Sequence, residues 1–274
     1  MEQHTFPEAA HDNAAAFWLA RARALGLHAV RTAGWTAVHG GSDGLDAHRV
    51  VVTRPYSDPE GLLAELAGLF REWGTGRVCL EDPYGGLDLA LYGGEGALAQ
   101  AVMVREPAPL GPGSGVGPAA RPGTGRGSGV EVREAVDGDG LAVAERVVVE
   151  GFPLPGRLPW RRGGLLPGAL LGEPGWRAWV ARRDGAPAGA CVSYDDGSVV
   201  GLYWVATLPN HRSRGVARAV VEAVLAAHPG RPATLTATLL GEPLYRRLGF
   251  TERALSRWWR YPASGPAVPT AADR

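Results

Sequence analysis

The stretch 199–227, VVGLYWVATLPNHRSRGVARAVVEAVLAA, decides how the chain is read. It opens on an apolar, β-prone run from Val199 to Val205 and breaks at Pro209. Three basic side chains follow, His211, Arg212 and Arg214, and then Gly215. From there Val216, Ala219, Val220, Ala223 and Val224 recur at helical spacing. A strand, a basic turn, a glycine and a helix together make an anion site. The first N–H groups of a helix have no partner inside it and sit at the positive end of its dipole. Glycine lets a phosphate approach that backbone, and arginines add charge-assisted hydrogen bonds.

The spacing Arg212-x-x-Gly215-x-Ala217 resembles the pyrophosphate-binding signature of the GNAT superfamily of N-acetyltransferases. It follows a strand, VATLP, and precedes a helix, which is the context the signature requires. Further on, LYRRLGF (244–250) resembles the family's second landmark. The resemblance implies an α/β fold of the α+β kind with a mixed sheet, acetyl-CoA as co-substrate, and no metal. It implies that the backbone of Val205, Ala206 and Thr207 bonds the pantetheine arm. It likewise implies that Arg212, Ser213, Arg214, Gly215, Val216 and Ala217 hold the pyrophosphate. Tyr245 falls at the family's general-acid position, where a phenol of pKa about 10 protonates a thiolate of similar basicity. Thr238 stands where the family often has an asparagine that helps bind the coenzyme; it donates one bond but does not mimic an amide. Candidates for the base are Glu150, at the end of the preceding helix, and Tyr203 acting through ordered water. A water chain with no dedicated base is the third possibility.

The first half reads as a worn copy of the second. With Pro55 set opposite Pro209, VVTRPYSDPEGLL lies ungapped against VATLPNHRSRGVA. Val51 then meets Val205, Thr53 meets Thr207, and Gly61 meets Gly215. The departures carry the chemistry. Arg212 and Arg214 correspond to Asp58 and Glu60, and Ala217 to Leu63. Carboxylates repel a pyrophosphate, and at a helix N-terminus they serve as internal caps instead. The expectation is two GNAT-like halves, the N-terminal one degenerate and without coenzyme.

Around that motif the chain divides, on composition, into a degenerate N-terminal domain (1–106), a Gly/Pro-rich linker (107–129), an acetyltransferase domain (130–261) and a disordered tail (262–274). In the first half, helices are expected over 14–25 and 59–73, and strands over 35–39, 49–53, 77–81 and near 106. In the second, a helix runs to Glu150, and strands cover 130–135, 176–182, 186–194 and the run into Pro209. A helix starting near Ser213, a strand at 233–238, a short helix at 243–248 and a strand at 253–261 complete the order. Between 151 and 175 lies a long Gly- and Pro-rich segment holding Phe152, Trp160, Arg161 and Arg162. Structureless segments of that length inside a domain are usually functional, and the resemblance implies that this one, with Tyr203, lines the acceptor site. Arg161 and Arg162 meet an acceptor carboxylate or phosphate, or are solvated loop arginines.

The chain has 274 residues, 45% of them hydrophobic and 20% charged, with a formal net charge of zero. It therefore has no bulk field to draw it to nucleic acid or membrane. Cys79 and Cys191 sit in apolar strand-like runs without a CxxC pattern and read as reduced core thiols. No secretory leader is visible and no apolar run reaches the length of a membrane span, so a cytoplasmic protein is expected. The function expected is transfer of an acetyl group to an amine of a small molecule or amino acid, by a monomer or homodimer. The alternatives are a non-catalytic acyl-CoA-binding regulator and a transferase using another acyl donor.

Overall fold

A computed structural model describes residues 6–40, 47–74, 77–90, 93–109, 129–152 and 154–261. In chain order the first elements are α1 (Phe6–Leu25), β1 (Ala29–Arg31), β2 (Trp35–Val38), β3 (His48–Val52), α2 (Pro59–Trp73) and β4 (Val78–Asp82). Then come β5 (Glu95–Gly96), β6 (Gln100–Arg105), β7 (Val130–Glu134), α3 (Gly138–Gly151), β8 (Trp176–Arg183) and β9 (Ala186–Asp195). The last are β10 (Val200–Thr207), α4 (Val216–Ala227), β11 (Ala233–Ala237), α5 (Glu242–Arg247) and β12 (Thr251–Tyr261). The linker between 110 and 128 and the tail 262–274 lie outside the described residues.

The chain groups into two compact units. One comprises residues 1–102, 236–240 and 252–274; the other comprises 103–235 and 241–251. In the first unit β1 and β2 pair antiparallel, β2 and β3 pair antiparallel, and β3 runs parallel to β4 across α2. In the second, β8 and β9 pair antiparallel, β9 and β10 pair antiparallel, and β10 runs parallel to β11 across α4. Both units thus hold two antiparallel strands leading into a strand–helix–strand crossover. The mixed sheets and the repeat of the same order agree with the α/β reading.

The grouping departs from a cut between residues 106 and 130. β12, read from sequence as the last strand of the second half, pairs antiparallel with β4, from Arg257 opposite Asp82 to Tyr261 opposite Val78. Residues 103–105 of β6 belong to the second unit, where the Thr234 hydroxyl donates to the Met103 carbonyl (3.3 Å). There Arg105 donates through Nε to the Leu248 carbonyl (2.9 Å), tying the end of β6 to the turn after α5. Each half therefore supplies a strand segment that counts with the other's unit. Such pairing joins residues far apart in sequence, so no local periodicity announces it.

Local rules explain the rest of the first unit. α1 begins eight residues before the expected start and stops where Gly26 takes the left-handed conformation (φ 65). β1 was not expected; it is three residues long, too short to show an alternation. α2 has the expected bounds. Its N-cap is Asp58, whose side chain accepts from the Gly61 N–H (2.9 Å). The carboxylate that replaces an arginine of the second half thus occupies the helix N-terminus itself. The core packs Trp35, Val50, Val52, Leu63, Leu66 and Leu80 with Trp259 of β12. Arg49 stacks on the Trp18 ring (4.3 Å) and pairs with the buried Glu81 (2.9 Å).

Two consequences can be measured. Trp259→Ala leaves a large cavity under β12, and the unfolding free energy is expected to fall by about 3–5 kcal/mol in urea titrations. His11 and His48 are buried, and burial lowers the pKa of each from 6.5 to about 4, with His39 adding to the shift at His48. The unfolded chain then binds more protons between pH 6.5 and 4. Stability is complete above pH 6.5 and is lost as the pH falls through that window, at up to about 1.4 kcal/mol per pH unit for each histidine. A His48→Gln variant, unable to take up that proton, is expected to show a shallower slope.

Candidate functional site

In the second unit, the site grows from a break in β10. The antiparallel register of β10 with β9 shifts between Tyr203 and Ala206, and Trp204 sits at φ 49. A positive φ in a tryptophan is a strained conformation of the kind that gathers at functional positions. The parallel ladder with β11 runs only over Val200 and Gly201, opposite Ala233 and Thr234, although β10 continues to Thr207. Of the candidate backbone, Val205 therefore lies in the break, while Ala206 and Thr207 pair again with Ala190 and Gly189 of β9 and lie beyond the ladder with β11.

Beyond β10 the chain makes a 3-10 turn at Pro209–His211, reaches Ser213 at φ 58, and enters α4 through Gly215. α4 starts at Val216, three residues later than expected from sequence. Gly215 is the N-cap at φ 78, in the left-handed region, and provides no capping side chain. α3 and α2, by contrast, are capped by Asp137 and Asp58. Arg212, Ser213 and Arg214 are all exposed. Arg212 donates long hydrogen bonds to the carbonyls of Thr207 (3.4 Å) and Gly151 (3.3 Å). A guanidinium has five N–H donors, so those two bonds leave others for an anion.

Two glycines make this geometry possible. A Cβ on Gly189 of β9 would overlap Val216 Cγ1, so only glycine lets the first turn of α4 lie directly on the sheet. A Cβ on Gly151, at the end of α3, would come within 3.2 Å of the Thr207 carbonyl. The end of α3, the end of β10 and Arg212 thus meet within hydrogen-bonding range.

Tyr245 lies in α5, buried, with its ring edge-on to Phe250 (5.9 Å). Burial, with the Cys191 thiol adding, pushes its pKa up, so the phenol is a neutral proton donor. The buried Cys191 thiol donates to the carbonyl of Tyr203 (3.6 Å). Burial also raises Cys191, which remains a protonated core thiol. Tyr203, Trp204 and Val205 are half-buried. Glu150 is held by Arg146 in an ion pair (2.7 Å). Thr238 is exposed and follows β11, in the stretch 236–240 that groups with the first unit.

The segment after α3 has more order than its composition suggested. Phe152 ends α3, its N–H bonding the Val148 carbonyl (2.9 Å). Arg157 bonds the Gly164 carbonyl, Arg162 pairs with Asp139 (2.7 Å), and Arg161 is exposed. Trp160 donates its indole N–H to Glu145 (3.1 Å). The sequence reading passed over Glu145. The signal was there, since the buried Leu141, Ala144 and Val148 place position 145 on the same face of α3.

Residues 174–252 match a family model described as the acetyltransferase (GNAT) domain. That stretch is similar to a GNAT domain. A GCN5-related N-acetyltransferase from Kribbella flavida has a similar fold, at 20% identity and a TM-score of 0.58, over 95% of this chain and 98% of that one. One from Sphaerobacter thermophilus gives 18% and 0.58, over 86% and 79%. A tandem GNAT protein from the clavulanic acid biosynthesis pathway gives 17% and 0.54, over 86% and 82%. No curated protein sequence matches. A GNAT fold suits acyl transfer in general. Among the described residues there is no cluster of His, Cys, Asp and Glu suited to a metal, and no helix is long and apolar enough to cross a membrane.

Gly189→Ala is the direct test of how α4 is seated. The added methyl must displace Val216, and stability measured by urea unfolding is expected to drop by about 1–3 kcal/mol.

Proposed function

We propose that this GNAT-like domain transfers an acetyl group from acetyl-CoA to the amine of a small molecule or amino acid. One observation carries the reading. α4 opens on a glycine that offers no side-chain acceptor, next to exposed Arg212 and Arg214, whereas the matching helix α2 is closed by the Asp58 carboxylate. Free amide donors, the positive end of the helix dipole and two guanidinium groups suit a pyrophosphate. A carboxylate already seated on the donors of α2 does not, so the coenzyme is assigned to the second unit alone.

The irregular backbone around Val205 suits the pantetheine arm, because strand groups released from the ladder are available to its amides. The amine nitrogen attacks the thioester carbonyl carbon with its lone pair. A backbone N–H of the Val205–Thr207 stretch stabilises the oxygen as it gains charge. The carbon–sulfur bond then breaks, and the departing thiolate takes the phenolic proton of Tyr245. Burial keeps that proton on Tyr245 until a strong base appears beside it. The proton released by the amine goes to water, to Glu150, or through water to Tyr203. Because Glu150 is already bound to Arg146, a water chain is the simpler route. Phe152, Trp160 and Arg161 are assigned to the acceptor side.

Isothermal titration of acetyl-CoA is expected to give one site per chain in the wild type. Binding is expected to weaken at least about a hundredfold in Arg212→Glu/Arg214→Glu, since charge-assisted bonds contribute roughly 1.5–3 kcal/mol each. Asp58→Ala is expected to leave it unchanged. Binding that survives the double substitution would overturn the assignment. Tyr245→Phe is expected to bind acetyl-CoA normally but to release thiol about 10²–10⁴-fold more slowly with an accepted amine. Normal turnover in that variant would remove Tyr245 from the mechanism.

A further inference from the structure

Glu145 is completely buried in α3, and its partners come from the segment that follows the helix. Oε1 accepts the N–H groups of Leu165 (2.6 Å) and Leu166 (2.8 Å). Oε2 accepts the N–H of Gly163 (2.8 Å) and the indole N–H of Trp160 (3.1 Å). A carboxylate offers about four acceptor positions, and here four donors from seven consecutive residues fill them. No regular helix or strand holds that stretch, so its shape depends on this carboxylate, with the Arg157–Gly164 and Arg162–Asp139 contacts and the burial of Leu165, Leu166 and Leu170.

The same turns of α3 arrange the neighbouring groups. Arg146 lies over the Trp160 ring (5.8 Å) and pairs with Glu150, while Gly151 stands where an added Cβ would come within 3.2 Å of the Thr207 carbonyl. The stretch fixed by Glu145 is thus connected, through one helix, to the end of β10 where the reaction is assigned.

We propose that Glu145 is a positioning residue for the amine acceptor: it holds Trp160 and the 161–164 turn in the conformation that binds the acceptor, and takes no part in binding the coenzyme. This rests on the transferase reading for the word acceptor, but not for the contact itself. A buried structural carboxylate would stabilise the whole domain evenly. A positioning one controls a local segment and one ligand.

The test uses Glu145→Gln in the full chain. Glutamine retains one acceptor oxygen and turns an amino group toward the other pair of donors, so two of the four bonds are lost and replaced by repulsion. The expected result has three parts. Amide hydrogen exchange of Gly163, Leu165 and Leu166 accelerates about tenfold or more, and the Trp160 indole N–H resonance shifts. Binding of phenethylamine, used as the probe amine and followed at that indole resonance, weakens about tenfold. Affinity for acetyl-CoA stays within about twofold of the wild type. If Glu145→Gln does not fold, Trp160→Phe removes one donor while keeping an aromatic body, and the same amide exchange is read. Unchanged exchange and an unmoved indole resonance would overturn the proposal. So would a parallel loss of acetyl-CoA affinity, or a failure of phenethylamine to perturb the wild-type indole. Failure of the transferase reading would show separately, as an absence of acetyl-CoA binding in the wild type.

Discussion

Everything at the candidate site follows from how the first turn of α4 meets the broken end of β10. A helix N-terminus has backbone donors without acceptors, and something must satisfy them. In α2 and α3 an aspartate does so. In α4 the cap is Gly215, in a left-handed conformation that few other residues adopt without cost, and the flanking side chains are cations. Those exposed donors are left to water or to an anion from outside the helix, and the charge around them suits an anion. Gly189 then fixes where the turn can stand, because any side chain there would push α4 off the sheet.

The comparison of α4 with α2 is informative because the surrounding topology is so similar. Each helix crosses between two parallel strands, and each is preceded by antiparallel strands in the same order. What differs is the charge at the helix mouth. Asp58 accepts from the Gly61 N–H, doing internally what a phosphate would do in the second unit. One topology thus presents an uncapped helix N-terminus in one unit and a carboxylate-capped one in the other.

Around the site the polar groups are arranged for persistence rather than for charge pairing. Glu145 is satisfied by four N–H dipoles instead of a cation, which holds a segment without regular structure in one shape. Tyr245 is kept neutral by burial beside an equally protonated Cys191.

Sequence alone determined the parts of this protein that depend on near neighbours. The bounds of α2, the left-handed stop at Gly26 and the strand–basic turn–glycine–helix order of 199–227 are written in residues a few positions apart. The same holds for the inverted charges at Asp58 and Glu60, which appear once the two halves are aligned. Tertiary structure decided the rest. β12 pairs with β4 through backbone groups that carry no side-chain signature, and the end of β6 is held by the Thr234 hydroxyl and the Arg105 side chain, whose partners lie far away in sequence. Glu145 acquired its role only when the chain after α3 folded back over it, since a carboxylate within an apolar stripe says that something must satisfy it but not what. The shift in register at Tyr203–Ala206 is a property of paired strands and exists only in the assembled sheet.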